Sequence, residues 1–156
     1  GDDRCPPVGF LQPQPGDIRK YRARVSGPML DRIDIQVEVD GVEYDDLTSE
    51  TVEESSAEVK ARADQARKIQ RSRFDGTTLK TNAEMGEKEL RTYCRLSAEC
   101  EGILKEAFES LRLSARARSR ILKVARTIAD LELSEEITAE HLYEAISYRT
   151  YGGEIE

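Results

Sequence analysis

The stretch that decides the fold lies near the C-terminal end and reads LSARARSRILKVARTIADL, residues 113–131. At about 100° of rotation per residue, one face of this stretch is apolar and consists of Ala117, Ile121, Val124, Ala125, Ile128 and Leu131. The opposite face is basic and carries Arg116, Arg120, Lys123 and Arg126. The pattern therefore predicts an amphipathic helix with a basic outer stripe.

The positions of the arginines in this helix are unusual. Ser114 is a natural N-cap, so Arg116, Arg118 and Arg120 lie in the first turns, where acidic side chains would stabilise the helix and arginines destabilise it. No carboxylate occurs from Leu111 to Ile128, although the whole chain has a net charge of -7. Two interpretations follow: an anion such as a phosphate binds at the helix start, or the stripe is a solvated face that pairs with acidic helices.

Length and composition indicate a water-soluble, helix-rich protein. The chain has 156 residues, of which 38% are hydrophobic and 35% charged, enough for one domain with a real core. No run of apolar residues is long enough for a membrane span, and the N-terminus does not resemble a signal peptide, so we expect a cytoplasmic protein. The net acidity argues against nucleic-acid binding through overall charge, but leaves a local basic site open.

The three cysteines, Cys5, Cys94 and Cys100, lack the close pairing of a zinc site or a disulfide framework. We expect reduced thiols, with Cys94 and Cys100 packed as small hydrophobic side chains. The lone histidine, His141, has no partner ligands in the sequence and is expected to be a surface or capping residue.

Composition divides the chain into four parts. Residues 1–16 form an irregular segment rich in proline and glycine, and residues 17–47 contain a short basic helix followed by a strand. The strand is predicted from the period of two in Ile33, Ile35, Val37 and Val39. A lone strand is not stable, so either residues 42–44 fold back on it or it belongs to a sheet whose other strands lie outside this sequence, and we favour the second. Residues 48–150 form a helical domain, and residues 151–156 an acidic tail.

The helical domain should contain several further helices. A capping box, Ser55 with Glu58, opens a helix over residues 57–74 whose apolar stripe is thin. Helices are also expected over residues 86–93 and 97–111, and Thr138 is the N-cap of a last helix after the basic one. The predicted fold class is therefore mainly α: a helical bundle preceded by a short strand left over from an α/β core.

Several of these motifs together resemble a known family. They are IRKYRARVSGPMLDRIDIQVEV at residues 18–39, ESSAEV at 54–59, NAEM at 82–85, LSAR at 113–116 and RILKVARTIADL at 120–131. In this order they resemble the C-terminal portion of magnesium-chelatase-like AAA+ ATPases, and in particular their competence-associated bacterial branch. The resemblance covers residues 17–150. It implies the last strand of the ATPase core and the helical lid of an ATP-driven ring, usually hexameric, that binds ATP with magnesium between its subunits.

The resemblance also implies roles for three arginines. Arg32 matches the arginine finger that reaches the nucleotide of the neighbouring subunit, and Arg116 matches the sensor 2 arginine that contacts the γ-phosphate of its own subunit's nucleotide. Arg120, one turn beyond Arg116, is expected either to help bind nucleotide or to pair with a carboxylate. The sequence contains no G-x-x-x-x-G-K-[ST] loop and no apolar strand that ends in paired acids, so we expect this chain alone not to hydrolyse ATP.

Two other functions stay open at this point. The basic stretches at residues 18–24 and 114–126 are compatible with a helical module that binds nucleic acid, such as DNA, through its phosphates. Alternatively, the domain is purely structural and its arginines form surface ion pairs that contribute little individually. The sequence does not distinguish a parent protein that handles DNA from one that acts in tetrapyrrole metallation.

Overall fold

The computed structural model describes Met29, residues 32–37, Val39 and residues 54–150. The chain divides into two compact units, residues 1–32 and residues 33–156. Within residues 54–150 there are five α-helices and one short 3₁₀ helix. They are α1 (Ser56–Arg73), the 3₁₀ helix (Asn82–Glu84), α2 (Glu87–Tyr93), α3 (Ala98–Ser110), α4 (Ala115–Leu131) and α5 (Ala139–Thr150). The expected segment 1–16, the short helix within 17–25 and the tail 151–156 lie outside the described residues.

Side-chain caps fix the starts of the helices. The Ser55 hydroxyl accepts the N–H of Glu58 at 3.3 Å, and the Glu58 carboxylate accepts the N–H of Ser55 at 2.8 Å. Ser97 caps α3 and Ser114 caps α4, each through one bond of 3.2 Å from an N–H of the first turn. Because capping serines satisfy N–H groups that have no partner inside the helix, these contacts confirm the predicted helix starts.

The end of α4 is closed by a residue in the left-handed conformation. Leu133 has a φ of 59°, and the next N–H, that of Ser134, donates to the carbonyl of Ala129 at 2.8 Å. This is a Schellman arrangement, in which glycine is the usual residue at the left-handed position. Arg112, with a φ of 47°, occupies the corresponding position after α3.

Helix α4 lies at the centre of the domain. It packs against α1, α2, α5 and the 3₁₀ helix, while α3 packs against α5. Two faces of α4 are therefore covered: the predicted apolar face, except Leu131, which is 40% exposed, and a second one with Leu122 and Ala129. The core also includes Leu142 and Ala145 of α5, as predicted, and the buried free thiols Cys94 and Cys100. The predicted mainly α class is confirmed.

Helix α1 buries little of its surface. Only Ala66 and Gln70 are buried within it, in agreement with its thin apolar stripe. Its C-cap residue, Phe74, is buried and meets the ring of Tyr93 edge to face, with ring centroids 5.5 Å apart. The helix is therefore attached to the domain mainly at its C-terminal end.

None of the residues of 33–39 that the structure describes is in a strand, and the predicted strand, whose partner strands were expected outside this sequence, stays a prediction. The alternating apolar side chains are instead exposed: Ile33 at 39%, Ile35 at 52%, Val37 at 63% and Val39 at 85%. The physical reason is that no second strand exists among the described residues to satisfy the backbone groups on either edge. The alternation in the sequence does place apolar side chains on one face, but the described residues contain no sheet against which this face could pack.

Candidate functional site

Arg116 lies in the first turn of α4, two residues after the N-cap Ser114. Its side chain is exposed and forms no ion pair or hydrogen bond with the residues that the structure describes. The first turn contains no acidic residue. Backbone N–H groups at a helix start carry partial positive charge, so the Arg116 guanidinium adds to the positive charge of the helix end.

Arg120, one turn further along α4, is engaged by a carboxylate. Its Nη1 donates to the Oδ1 of Asp34, and the two groups form an ion pair. Of the two expectations for Arg120, the pairing with a carboxylate is therefore the one that the structure shows. The contact does not exclude a nearby phosphate, because a guanidinium has five N–H donors.

The segment that contains Asp34 is attached to the helical domain by two further contacts. The N–H of Gln36 donates to the carbonyl of Tyr148 at 3.0 Å, and the Arg149 guanidinium donates to the carbonyl of Ile33. Residues 33–36 therefore lie against the first part of α4 and the last turn of α5.

Arg32 directly precedes this segment in the sequence but belongs to the first compact unit. Its N–H donates to the carbonyl of Met29 at 3.0 Å, and the residue is exposed in a turn. The role of Arg32 as a finger stays a prediction.

The most highly connected polar group of the domain is the buried carboxylate of Asp130 on α4, which is 0% exposed. It accepts hydrogen bonds from both terminal nitrogens of Arg73, from Arg126 Nε at 3.2 Å and from Asn82 Nδ2 at 2.8 Å. Asn82 also accepts a bond of 2.8 Å from Arg73. The cluster joins the end of α1, the 3₁₀ helix and α4, and every described buried side-chain polar atom has a partner.

The predicted basic outer stripe is wrong for Arg126. Its side chain is only 3% exposed and is therefore buried. Besides Asp130, it donates to the carbonyls of Ser134 at 2.5 Å and Glu135 at 2.8 Å. Burial lowers the pKa of the Arg126 guanidinium, and the charge of Asp130 opposes this shift. The reason for the difference is that α1 and the loop after α4 cover this side of the helix, which a single-helix projection cannot show.

His141 is likewise buried rather than on the surface, with 2% exposure. Its Nδ1 accepts the N–H of Thr138 at 2.9 Å, so the Nε2 carries the proton and donates to Glu132, also at 2.9 Å. The Thr138 hydroxyl in turn lies 3.5 Å from the N–H of His141. Histidine thus replaces the usual glutamate of a capping box, which confirms the expected capping role.

Three arginines that the prediction did not group line one cleft between α2 and the start of α4. The cleft has a volume of about 360 Å³, and its charged residues are Arg91, Arg95, Arg118 and Glu101. All four are exposed. The signal available in the sequence was the position of Arg118, about 200° around the helix from Arg116 and therefore outside the predicted basic stripe.

The described residues contain no group of three or more histidine, cysteine or acidic side chains arranged to hold a metal ion. Burial raises the pKa of the Cys94 thiol to about 11, so this sulfur is protonated at neutral pH. None of the helices in the described part of the chain is long and apolar enough to cross a bilayer.

Together, these features define a helical domain whose central helix begins with exposed arginines and is fixed at its other end by a buried ion cluster. The sequence matches two family models of the magnesium chelatase subunit ChlI. The model of the C-terminal part of ChlI matches residues 53–149, and the model of the subunit itself matches residues 10–47. The chain belongs to this magnesium chelatase ChlI family.

Individual relatives agree with this assignment. The chain is 43% identical to the protein YifB of Escherichia coli over 149 residues, which cover 94% of this chain and 27% of YifB. It is 40% identical to the competence protein ComM of Haemophilus influenzae over 136 residues, covering 86% of this chain and 26% of ComM. The chain thus spans about a quarter of the length of these relatives.

Proposed function

We propose that this domain is the nucleotide-contacting lid of an ATP-driven AAA+ ring, and that Arg116 is its sensor 2 residue. The observation that carries the proposal is the exposed Arg116 guanidinium at the start of α4, with no carboxylate in the first turn and no partner among the described residues. A terminal phosphate placed there would accept hydrogen bonds from the guanidinium and attraction from the helix end together. The helix start, which is unfavourable in the isolated chain, becomes favourable when the anion is bound.

In this proposal ATP is bound with magnesium, and the nucleotide supplies the phosphoryl group that is transferred to water. The part of the chain that the structure describes has no cluster of metal ligands. The sequence contains no G-x-x-x-x-G-K-[ST] loop, so the proposal requires a phosphate-binding loop from elsewhere in the ring-forming protein. This chain would contribute positive charge at the phosphates, through arginine side chains whose positions the helical bundle fixes.

Arg32 is proposed as the arginine finger that reaches the nucleotide of a neighbouring subunit. An arginine supplied in trans accelerates phosphoryl transfer by about 10³-fold or more in other systems. The ion pair between Arg120 and Asp34 gives Arg120 a positioning role, because it ties the start of α4 to the segment that follows Arg32.

The test uses the full-length, ring-forming protein that the proposal requires. Arg32→Ala and Arg116→Ala should each reduce ATP turnover at least about 100-fold, since each removes a charge at the phosphates. Arg67→Ala on the exposed face of α1 is the matched control and should keep normal turnover. Normal turnover in both Arg32→Ala and Arg116→Ala would refute the assigned roles.

A mixing experiment separates the two roles. Rings that contain Arg32→Ala and Arg116→Ala subunits have some interfaces in which one subunit keeps sensor 2 and its neighbour keeps the finger. Those interfaces are complete only if the finger acts in trans. Partial recovery of turnover on mixing is therefore expected, and mixed rings as inactive as the separate variants would exclude a finger in trans.

Binding of DNA by this domain is the second candidate function, and the cleft with three arginines favours it. The name of the Haemophilus influenzae relative, competence protein ComM, is compatible with such a role. A cytoplasmic location, a hexameric ring and the domain boundaries at residues 17–47 and 48–150 stay predictions alongside it.

A further inference from the structure

We propose that the cleft lined by Arg91, Arg95 and Arg118 is a binding site for phosphate groups, separate from the sensor 2 position. We call it the arginine cleft. It lies between the end of α2 and the start of α4 and has a volume of about 360 Å³. The ligand class is a phosphate-bearing molecule, either a free polyphosphate or the backbone of a nucleic acid. The proposal does not depend on the lid function of Arg116.

The charge of the arginine cleft is not balanced within the described part of the chain. Its lining contains three arginines and one carboxylate, that of Glu101. None of the three guanidiniums has an ion-pair or hydrogen-bond partner among the described residues, and Glu101 is not within ion-pair distance of Arg118. In a chain with a net charge of -7, a local excess of positive charge at one cleft is a specific feature of that surface.

Helix end effects do not explain this arrangement. Arg91 lies in the last turn of α2, where a basic residue is favourable. Arg118, in contrast, lies near the start of α4, where a basic residue is unfavourable. Arg118 precedes the buried Leu122 by one turn, and although it is exposed, both residues line the cleft. A bound anion would offset the repulsion among the three guanidiniums.

The remaining lining favours a phosphate attached to a larger molecule. The apolar part of the arginine cleft is formed by Leu90, Leu96 and Leu122. A second cleft, of about 460 Å³, shares the residues Glu101 and Arg118 with it and is also lined by Leu104 and Phe108, together with Lys105 and Glu109. Planar guanidinium forks match phosphate oxygens in pairs, while the neighbouring apolar surface can accept a sugar or a base.

Arg116 and Arg118 lie on different sides of α4 and therefore cannot contact the same phosphate. Residues two apart on a helix do not face each other, so a phosphate in the arginine cleft does not contact Arg116. This separation makes the two proposals independently testable. Loss of ATP turnover in Arg116→Ala says nothing about the cleft, and Arg116→Gln should leave binding to the cleft unchanged.

The experiment measures binding to the 156-residue chain with two probes at two salt concentrations. The probes are inorganic pyrophosphate, followed by calorimetry, and a fluorescein-labelled oligodeoxythymidine, followed by anisotropy. The test variant combines Arg91→Gln, Arg95→Gln and Arg118→Gln. The matched control combines Arg67→Gln, Lys68→Gln and Arg71→Gln on α1, which removes the same number of positive charges from a surface away from the cleft.

We expect the test variant to bind the responsive probe about 100-fold more weakly, at roughly fivefold per arginine, which is the range of exposed ion pairs. The control should lose far less. For the oligonucleotide, the slope of log affinity against log salt should fall by about 0.7 for each lost phosphate contact. Glu101→Gln should tighten binding, because it removes the only negative charge of the arginine cleft.

The identity of the responsive probe assigns the source of the phosphate. Binding of the oligonucleotide alone indicates a nucleic-acid backbone, and binding of pyrophosphate indicates a small polyphosphate; either supports the site. The proposal is overturned if neither probe binds at low salt, if the test and control variants weaken binding equally, or if an oligoglutamate peptide binds while both phosphate probes do not. All three arginines are exposed, so unchanged thermal unfolding verifies that the test variant is folded.

Discussion

Substitution of Asp130 by asparagine should strongly destabilise the helical domain. The change keeps the size of the side chain but removes the only carboxylate that the hydrogen bonds place against Arg73 and Arg126, both largely buried. Removing one partner of a buried ion pair costs about 3 to 5 kcal/mol, because the remaining charge stays buried without compensation. Here two guanidiniums would face each other across a neutral amide, so the upper part of that range is expected.

This loss is large compared with the stability of a domain, which is about 5 to 15 kcal/mol. With an m-value of about 1.5 kcal/mol per molar urea, the midpoint of urea unfolding should fall by about 2 M or more. The measurement is urea unfolding of the wild type and the variant, followed by far-ultraviolet circular dichroism. Unchanged m-values would show that both proteins unfold in the same way.

Asp64→Asn is the matched control. Asp64 forms an exposed pair with Lys60 on α1, 2.5 Å apart, and the same chemical change there should leave the midpoint nearly unchanged because exposed pairs contribute little. If Asp130→Asn is no more destabilising than Asp64→Asn, the cluster around Asp130 does not hold the domain together and the reasoning is wrong.

Three further outcomes are expected. The pKa of the Cys94 thiol is raised to about 11 in the folded protein, so as the pH rises the thiol of the unfolded chain ionises before that of the folded chain. The free energy of unfolding should therefore fall between about pH 9 and 11, and Cys94→Ala should reduce this pH dependence. His141→Ala removes the acceptor for the Thr138 N–H and the contact with Glu132; thermal unfolding should show a loss of about 1 to 2 kcal/mol, and an unchanged melting temperature would contradict the capping role. Leu133→Gly relieves a positive φ at an exposed position and should stabilise the domain by about 0.5 to 1 kcal/mol, whereas destabilisation would show that the Leu133 side chain contributes through packing.

The helices were predictable from sequence because their signals are local. Ser55, Ser97 and Ser114 begin helices at the expected positions, since a capping serine and the apolar period that follows it lie within one or two turns. The inward positions Ile121, Ala125 and Leu142 are also buried as predicted.

The errors concern features that the projection of a single helix does not show. Arg126 looked like a surface residue because the turn after α4 brings the carbonyls of Ser134 and Glu135 to its guanidinium, and this turn lies outside the helix. The strand at residues 33–39 is not one of these errors, because its partner strands were expected outside this sequence and it stays a prediction. The arginine cleft was missed because Arg91 and Arg118 come together only after α2 and α4 have packed.

The attachment of α1 at one end has a mechanical consequence. The helix has 18 residues and is therefore about 27 Å long, so a rotation of about 10° at its anchored end moves its free end by about 5 Å. The bidentate contact of Arg73 with Asp130 acts as the pivot of this lever. A small displacement of α4 at this contact would therefore produce a much larger displacement, of several ångströms, at the opposite end of α1.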